Sequence, residues 1–246
     1  MRYFAELAYN GSQYVGWQKQ PNGLSVQAAI EAACSTVLGV PIETVGCGRT
    51  DTGVHASRYF LHFDYDGIIP QGFLNRVNRL LAKDIVIFRL LEAPPEAHAR
   101  FDACQRSYTY YLTFVKDPFA IQTVYHYPYA QRPDFDRMQA AAQLLLVYRE
   151  FYPFCKSDHD AKTLHCELSR CEWISPDAQR LEFHITANRF LRGMVRLIVG
   201  MCLHVGLNKL TLEQVKNALE TQTLLPMSWS VPPEGLFLTD VQYEWM

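Results

Sequence analysis

The amino-acid sequence predicts an α+β fold, and three observations carry that expectation. Alternating apolar runs of strand length recur from residue 3 to residue 243. Between them lie segments whose apolar residues repeat at helical spacing. The order of the two types is the same in each half of the chain, β-α-β-β-α-β, once an extra helix in the second half is set aside.

Residues 3–9 read as a strand, ended by Asn10 and Gly11. Ser25 then caps a helix with Val26, Ile30, Ala33 and Val37 along one face, stopped by Gly39 and Pro41. Residues 42–47 and 58–65 are strands. Pro70 opens a second helix with Phe73, Leu74, Val77, Leu80 and Leu81 on one side, and residues 85–91 form another strand. The breaker Ala93-Pro94-Pro95 is the only internal boundary, dividing an N-terminal subdomain, 1–95, from a C-terminal one, 96–246. In the second, a strand at 107–115 leads to a helix at 134–147. Strands at 166–174 and 181–187 follow, joined through Ser175-Pro176-Asp177, then a helix at 189–205 and a last strand at 236–243. Thr211 with Gln214 signals a capping box at the start of the extra helix. Two ferredoxin-like halves of this kind are expected to join edge to edge in one large antiparallel sheet with helices packed on one side, which makes the seam the natural cleft.

At 246 residues the chain is long enough for one large domain or two small ones with buried cores. Its 23 Lys and Arg against 25 Asp and Glu exclude a surface that attracts polyanions everywhere. A nucleic acid would instead meet local patches. Residues 187–196 hold Arg189, Arg192 and Arg196 without an acid, residues 100–116 hold three basic residues against Asp102, and Arg49 and Arg58 add to these. The 7 cysteines are odd in number, scattered and without a Cys-x-x-Cys pair, as in a reducing compartment. Residues 1–10 lack the features of a signal peptide, and the apolar stretch 190–207 is interrupted by Arg192 and Arg196. A cytoplasmic protein without a membrane segment is expected.

Residues 48–56, GRTDTGVHA, place the carboxylate of Asp51 close after the guanidinium of Arg49 in a loop between two strands. Gly48 and Gly53 allow backbone angles or close approaches that a side chain forbids, and Thr50 and Thr52 have hydroxyls to hold the loop. By itself the segment is also compatible with an Asx-type turn that carries a surface arginine. His55 with His62 and Asp64 suggests a metal site, but no His-x-His or His-Glu-x-x-His spacing occurs and strands alternate faces, so no metal is expected.

Residues 48–56 resemble the catalytic motif of the tRNA pseudouridine synthase A family. Four further segments are similar to that family in the same order: YVGWQKQ at 14–20, HARFDACQRSYTY at 98–110, ANRFLRGMVRLIVG at 187–200 and PEGLFLTDVQY at 233–243. Residues 149–154, REFYPF, depart from the usual run, and Arg192-Gly193 stand where the family often has a Tyr/His pair. The resemblance spans nearly the whole chain and implies the same double-sheet architecture, a homodimer, and conversion of uridine to pseudouridine at positions 38, 39 and 40 of the tRNA anticodon stem-loop. It makes Asp51 the nucleophile, Arg196 its cationic partner, Tyr108 the ring that stacks on the target uracil, and Arg49 the residue that fills the space vacated by the flipped nucleotide. Tyr110 reads as a packing residue on the same strand face.

The isomerisation detaches uracil from the ribose and rejoins it through C5, with no change of oxidation state, so no cofactor is expected. It does need an ionised carboxylate near the sugar, extraction of the nucleotide from its stack, and a base for the C5 proton. Attack of the carboxylate on the sugar and removal of the C2′ proton both satisfy the sequence. A catalytically silent RNA-binding protein and a metal-dependent phosphodiesterase built on Asp51 and His55 are the readings from other classes.

Overall fold

A computed structural model describes residues 1–155 and 163–246. The chain forms two compact units, one of Met1–Cys104 with Phe237–Met246 and one of Gln105–Leu236. Both are mixed α+β with mostly antiparallel sheet.

In the first unit the order is β1 (Arg2–Tyr9), α1 (Val26–Leu38), β2 (Val45–Gly46), β3 (His55–Asp64), α2 (Phe73–Leu80) and β4 (Ile85–Ala93). Strand β1 is central, antiparallel to β3 on one side and β4 on the other. The Ser25 hydroxyl caps α1 by accepting the Ala28 N–H at 3.2 Å, and Gly39 at φ 73 ends it. The predicted apolar face holds: Val26, Ile30 and Ala33 are buried. One charge shares that burial. Glu31 accepts hydrogen bonds from Lys19 Nζ (2.8 Å), Gln27 Nε2 (3.1 Å) and both the N–H and the hydroxyl of Thr44 (2.8 and 3.0 Å).

That polar hub explains why the strand expected at 42–47 is reduced to Val45–Gly46. The Thr44 amide is taken by Glu31, and the Ile42 amide donates to Ser35 Oγ at 2.8 Å. Side chains of α1 thus satisfy backbone groups that a ladder would otherwise need. In β3, Tyr59, Phe60, Leu61, His62 and Phe63 are all buried, so both faces of this strand are covered. Phe4, Phe60, Tyr243 and Trp245 form an aromatic cluster on one of them. Helix α2 begins later than Pro70 suggests because the Phe73 N–H closes a turn on the Pro70 carbonyl and Gly72 stands at φ 73.

The second unit comprises β5 (Ala103–Thr113), β6 (Tyr125–His126), α3 (Phe135–Leu144), β7 (Leu168–Asp177), β8 (Arg180–Ala187), α4 (Met194–Gly206) and α5 (Leu212–Thr221). Strand β8 lies between β5 and β7, antiparallel to both. The turn from β7 to β8 falls later than expected, where Asp177 Oδ1 accepts the Gln179 N–H at 2.8 Å. Asp134 caps α3 through the Arg137 N–H at 3.0 Å. Helix α4 starts at Met194 rather than 189, because Gly193 at φ 72 breaks the helical path, so Arg189 and Arg192 precede it. The capping box of Thr211 and Gln214 is formed as the sequence predicts.

The last strand, β9 (Leu236–Tyr243), pairs in parallel with β3 at His55↔Phe237 and Ala56↔Leu238. All seven cysteines are free thiols, and burial pushes those of Cys34 and Cys202 up to about 12, as fits small hydrophobes. Among the described residues, no helix is long and apolar enough to cross a membrane.

Candidate active site

The loop that carries Asp51 links β2 to β3 and is pinned along its length. Before Asp51, the Tyr59 phenol donates to the Gly48 carbonyl, Tyr9 and Thr50 share a hydroxyl–hydroxyl bond of 2.9 Å, and the Trp17 N–H donates to the Thr50 carbonyl at 3.3 Å. After it, the Val54 N–H closes a turn on the Asp51 carbonyl at 3.1 Å and the Gly53 N–H donates to the Tyr14 carbonyl at 3.4 Å. Gly53 itself has φ 77. The loop is therefore more than an isolated Asx turn: Tyr14, Trp17 and Tyr59 bond its backbone groups, and Tyr9 bonds the Thr50 side chain.

Two glycines let the N-terminal segment approach this closely. A Cβ on Gly11 would lie 2.0 Å from the Val54 carbonyl oxygen, and one on Gly16 would lie 2.4 Å from that of Thr50. Behind the loop, Trp17 stacks on Tyr59 with centroids 4.2 Å apart, and Tyr9 meets Tyr59 edge-on at 5.5 Å. All three rings are buried. Against this background Asp51 is half-buried and Arg49 exposed, so a carboxylate and a guanidinium are displayed from a rigid base.

His55 is fully buried; its Nδ1 accepts the Gly11 N–H at 3.0 Å and its ring stacks on Phe237. His62 accepts the Ala99 N–H at Nδ1, also at 3.0 Å. Burial first, then the charges of Arg2 and His98, lowers its pKa to about 4. Both histidines thus serve as acceptors for backbone amides. Among the described residues, no group of three or more His, Cys, Asp or Glu side chains is placed to hold a metal ion.

In the second unit, Tyr108 lies on β5 opposite Ile185, half-buried, with its ring edge-on to Phe190 at 5.1 Å. Tyr110 is fully buried and its hydroxyl donates to the Pro232 carbonyl at 2.9 Å. Desolvation, then the nearby Glu234 charge, raises the Tyr110 pKa, while Arg196 pulls it the other way. It is a packing residue, as the sequence suggests. Arg196 occupies the first turn of α4, where its Nε donates to the Val231 carbonyl at 2.6 Å and its own carbonyl accepts the Val231 N–H at 3.3 Å. Gly200, further along α4, abuts the Trp229 carbonyl, where a Cβ would lie at 1.8 Å. The 229–231 segment therefore fixes the direction of the Arg196 side chain.

Asp51 and Arg49 thus share one loop of the first unit, and Tyr108 and Arg196 belong to the second. The expectation that Arg58 adds to a phosphate-binding patch needs correction. Its Nε meets Glu6 at 3.0 Å and its Nη1 meets Asp240 at 2.7 Å, so two carboxylates already neutralise it. Tyr9 and Tyr59 were not singled out by the sequence, because a tyrosine in an apolar strand gives no sign of which loop its hydroxyl reaches.

A carboxylate presented on a braced loop, in an α+β chain with mostly antiparallel sheet, defines a candidate enzyme. Residues 141–244 match the family model described as tRNA pseudouridine synthase. The chain is 44% identical over 246 residues to tRNA pseudouridine synthase A of Parabacteroides distasonis, covering 98% of this chain and 96% of that relative. It is 43% identical over 244 residues to the Bacteroides fragilis protein of that name, with the same coverage, and 35% identical over 238 residues to that of Caldicellulosiruptor bescii, covering 96% and 97%. Likeness of this degree over nearly the whole length means that the chain belongs to the tRNA pseudouridine synthase A family. Pseudouridine synthases are isomerases, and the chain is an enzyme of that class.

Proposed function

We propose that this enzyme isomerises uridine to pseudouridine at positions 38, 39 and 40 in the anticodon stem-loop of tRNA, with Asp51 as the catalytic nucleophile. The observation that carries the reading is the pinned 48–54 loop, which holds Asp51 half-exposed beside an exposed Arg49. In the proposed sequence the carboxylate attacks C1′ and the uracil anion leaves with the glycosidic electron pair. The base then turns, C5 attacks C1′ and displaces the carboxylate, the C5 proton passes to a base, and N1 is protonated. Arg196 stabilises the carboxylate in its charged form, Tyr108 stacks on the target uracil, and Arg49 occupies the gap left by the flipped nucleotide.

This reading carries the finer architectural expectation with it: two ferredoxin-like halves, 1–95 and 96–246, acting as one catalytic unit on an extended antiparallel sheet with the cleft at the seam. It also carries a cytoplasmic homodimer whose reaction needs neither metal nor cofactor. The test is carbodiimide-based mapping of pseudouridine after incubation of the purified protein with unmodified tRNA in the presence of a chelator. Product at positions 38–40 supports the proposal; absence of product with a folded, tRNA-binding protein would leave a silent RNA-binding role. Deuterium at C2′ of the target tests the route, since a primary isotope effect would make Asp51 the base for that proton rather than the nucleophile.

A further inference from the structure

We propose that Tyr9 and Tyr59 are positioning residues of the reaction, whose hydroxyls hold the Thr50 side chain and the Gly48 carbonyl on either side of Arg49 and so set where the Asp51 carboxylate stands. The inference depends on the reading of Asp51 given above and adds what holds that carboxylate in place.

The two anchors act on neighbouring points of one short segment. The Tyr59 phenol donates to the Gly48 carbonyl, just before Arg49. The Tyr9 hydroxyl bonds the Thr50 hydroxyl at 2.9 Å, just after it. Thr50 is 8% exposed and Tyr9 4%, so their bond is shielded from bulk water, and the second bond is donated by a Tyr59 ring that is 0% exposed to a half-buried Gly48 carbonyl. The rings that carry the hydroxyls are themselves fixed: Trp17 stacks on Tyr59 at 4.2 Å and Tyr9 lies 5.5 Å from it. Gly46 keeps room for this cluster, since a Cβ there would lie 2.1 Å from the Tyr59 oxygen and 2.5 Å from Trp17 Nε1. Rigid rings on β1 and β3 thus convert the stiffness of two strands into the placement of one loop. Loss of either hydroxyl leaves the ring packing intact and removes one anchor of the loop, the Thr50 side chain for Tyr9 or the Gly48 carbonyl for Tyr59. Misplacement by about 1 Å is enough to slow a reaction on the order of 100-fold.

The experiment compares Tyr9→Phe, Tyr59→Phe and Thr50→Val with the parent, using Thr50→Ser, which keeps the hydroxyl, and Tyr3→Phe as controls. Tyr3 is equally buried, and its hydroxyl reaches Met1 Sδ rather than the loop. Single-turnover conversion of tRNA, tRNA affinity and Tm are measured for each. The expected result is a fall of roughly 10-fold or more in turnover for the three loop variants. tRNA Kd should stay within about 2-fold, and Tm should fall by about 2–4 °C for each lost hydrogen bond. Thr50→Ser should retain activity, and the Tyr9→Phe/Thr50→Val pair should lose no more than either alone, because both act through one bond. Turnover of Tyr9→Phe and Tyr59→Phe equal to that of Tyr3→Phe overturns the proposal, whatever the change in Tm. Asp51→Asn in the same assay separates the two readings. A silent Asp51→Asn with fully active Tyr9→Phe and Tyr59→Phe removes the positioning role alone, whereas an active Asp51→Asn removes both.

Discussion

Gly16→Ala is the sharpest probe of the packing between the N-terminal segment and the Asp51 loop. Gly16 has φ +98, and a Cβ there would lie 2.4 Å from the Thr50 carbonyl oxygen, 3.1 Å from the Asp51 carbonyl carbon and 3.3 Å from the Thr52 nitrogen. Real Cβ atoms essentially never come closer than 3.0 Å, so the closest contact must open by about 0.6 Å, and the atoms in the way are loop backbone, which cannot swing aside as a side chain would. The left-handed conformation alone costs alanine about 1–2 kcal/mol. The loop shift adds a loss of turnover between about 10-fold and 100-fold if the carboxylate moves with its backbone. Gly39→Ala separates the two effects. Gly39 has nearly the same kind of backbone, φ +73, but nothing within 4 Å of a built Cβ. It should lose about 1 kcal/mol of stability, a Tm shift of about 2–4 °C, with no change in turnover. Carbodiimide mapping of tRNA and thermal melts read both quantities. A Gly16→Ala protein that melts lower yet converts uridine at the parent rate refutes the coupling between this glycine and a catalytic role of the Asp51 loop.

Asp51→Asn keeps size and a hydrogen-bonding oxygen while removing the charge. Conversion should drop to background with tRNA binding within a few fold, and substantial conversion by a folded variant would show that another group does the chemistry. Tyr108→Phe keeps the ring beside Phe190 and tests the hydroxyl alone, whereas Tyr108→Ala also removes stacking worth about 1–3 kcal/mol per base; full turnover by the Phe variant restricts Tyr108 to a platform. His62, lowered to about 4 by burial, is neutral in the fold while an unfolded histidine near 6.5 takes up a proton. Between these values the unfolded chain binds more protons, so stability falls as pH drops from about 6.5 to about 4, by up to about 3 kcal/mol from this group. His62→Asn, with Oδ1 in place of Nδ1 as acceptor for Ala99, should flatten that part of a denaturation-against-pH curve, and an unchanged slope would assign the acid sensitivity elsewhere.

What the sequence made legible follows from how local each signal is. The last strand falls at Leu236–Tyr243 as expected, and the Ser25 cap and the Thr211–Gln214 box formed, because each depends on neighbours a few residues away. Helix α4 was misplaced at its start because the apolar spacing continues back through Leu191, and only the left-handed Gly193 stops it. Strand β2 came out short for a nonlocal reason: Glu31 and Ser35 of α1 capture amides of residues 44 and 42, a competition that no reading of 42–47 by itself reveals. The same distinction governs the site. GRTDTGVHA announces a carboxylate in a loop, and the roles of Arg49, Tyr108 and Arg196 came from resemblance. Arg58, by contrast, looks like one more cation until Glu6 and Asp240, distant in sequence, are found on it. Local motifs thus name the candidate groups for a substrate, whereas the Tyr9–Trp17–Tyr59 cluster that braces the Asp51 loop draws on three separated segments. Substitutions in that cluster should therefore alter catalysis without touching the motif at all.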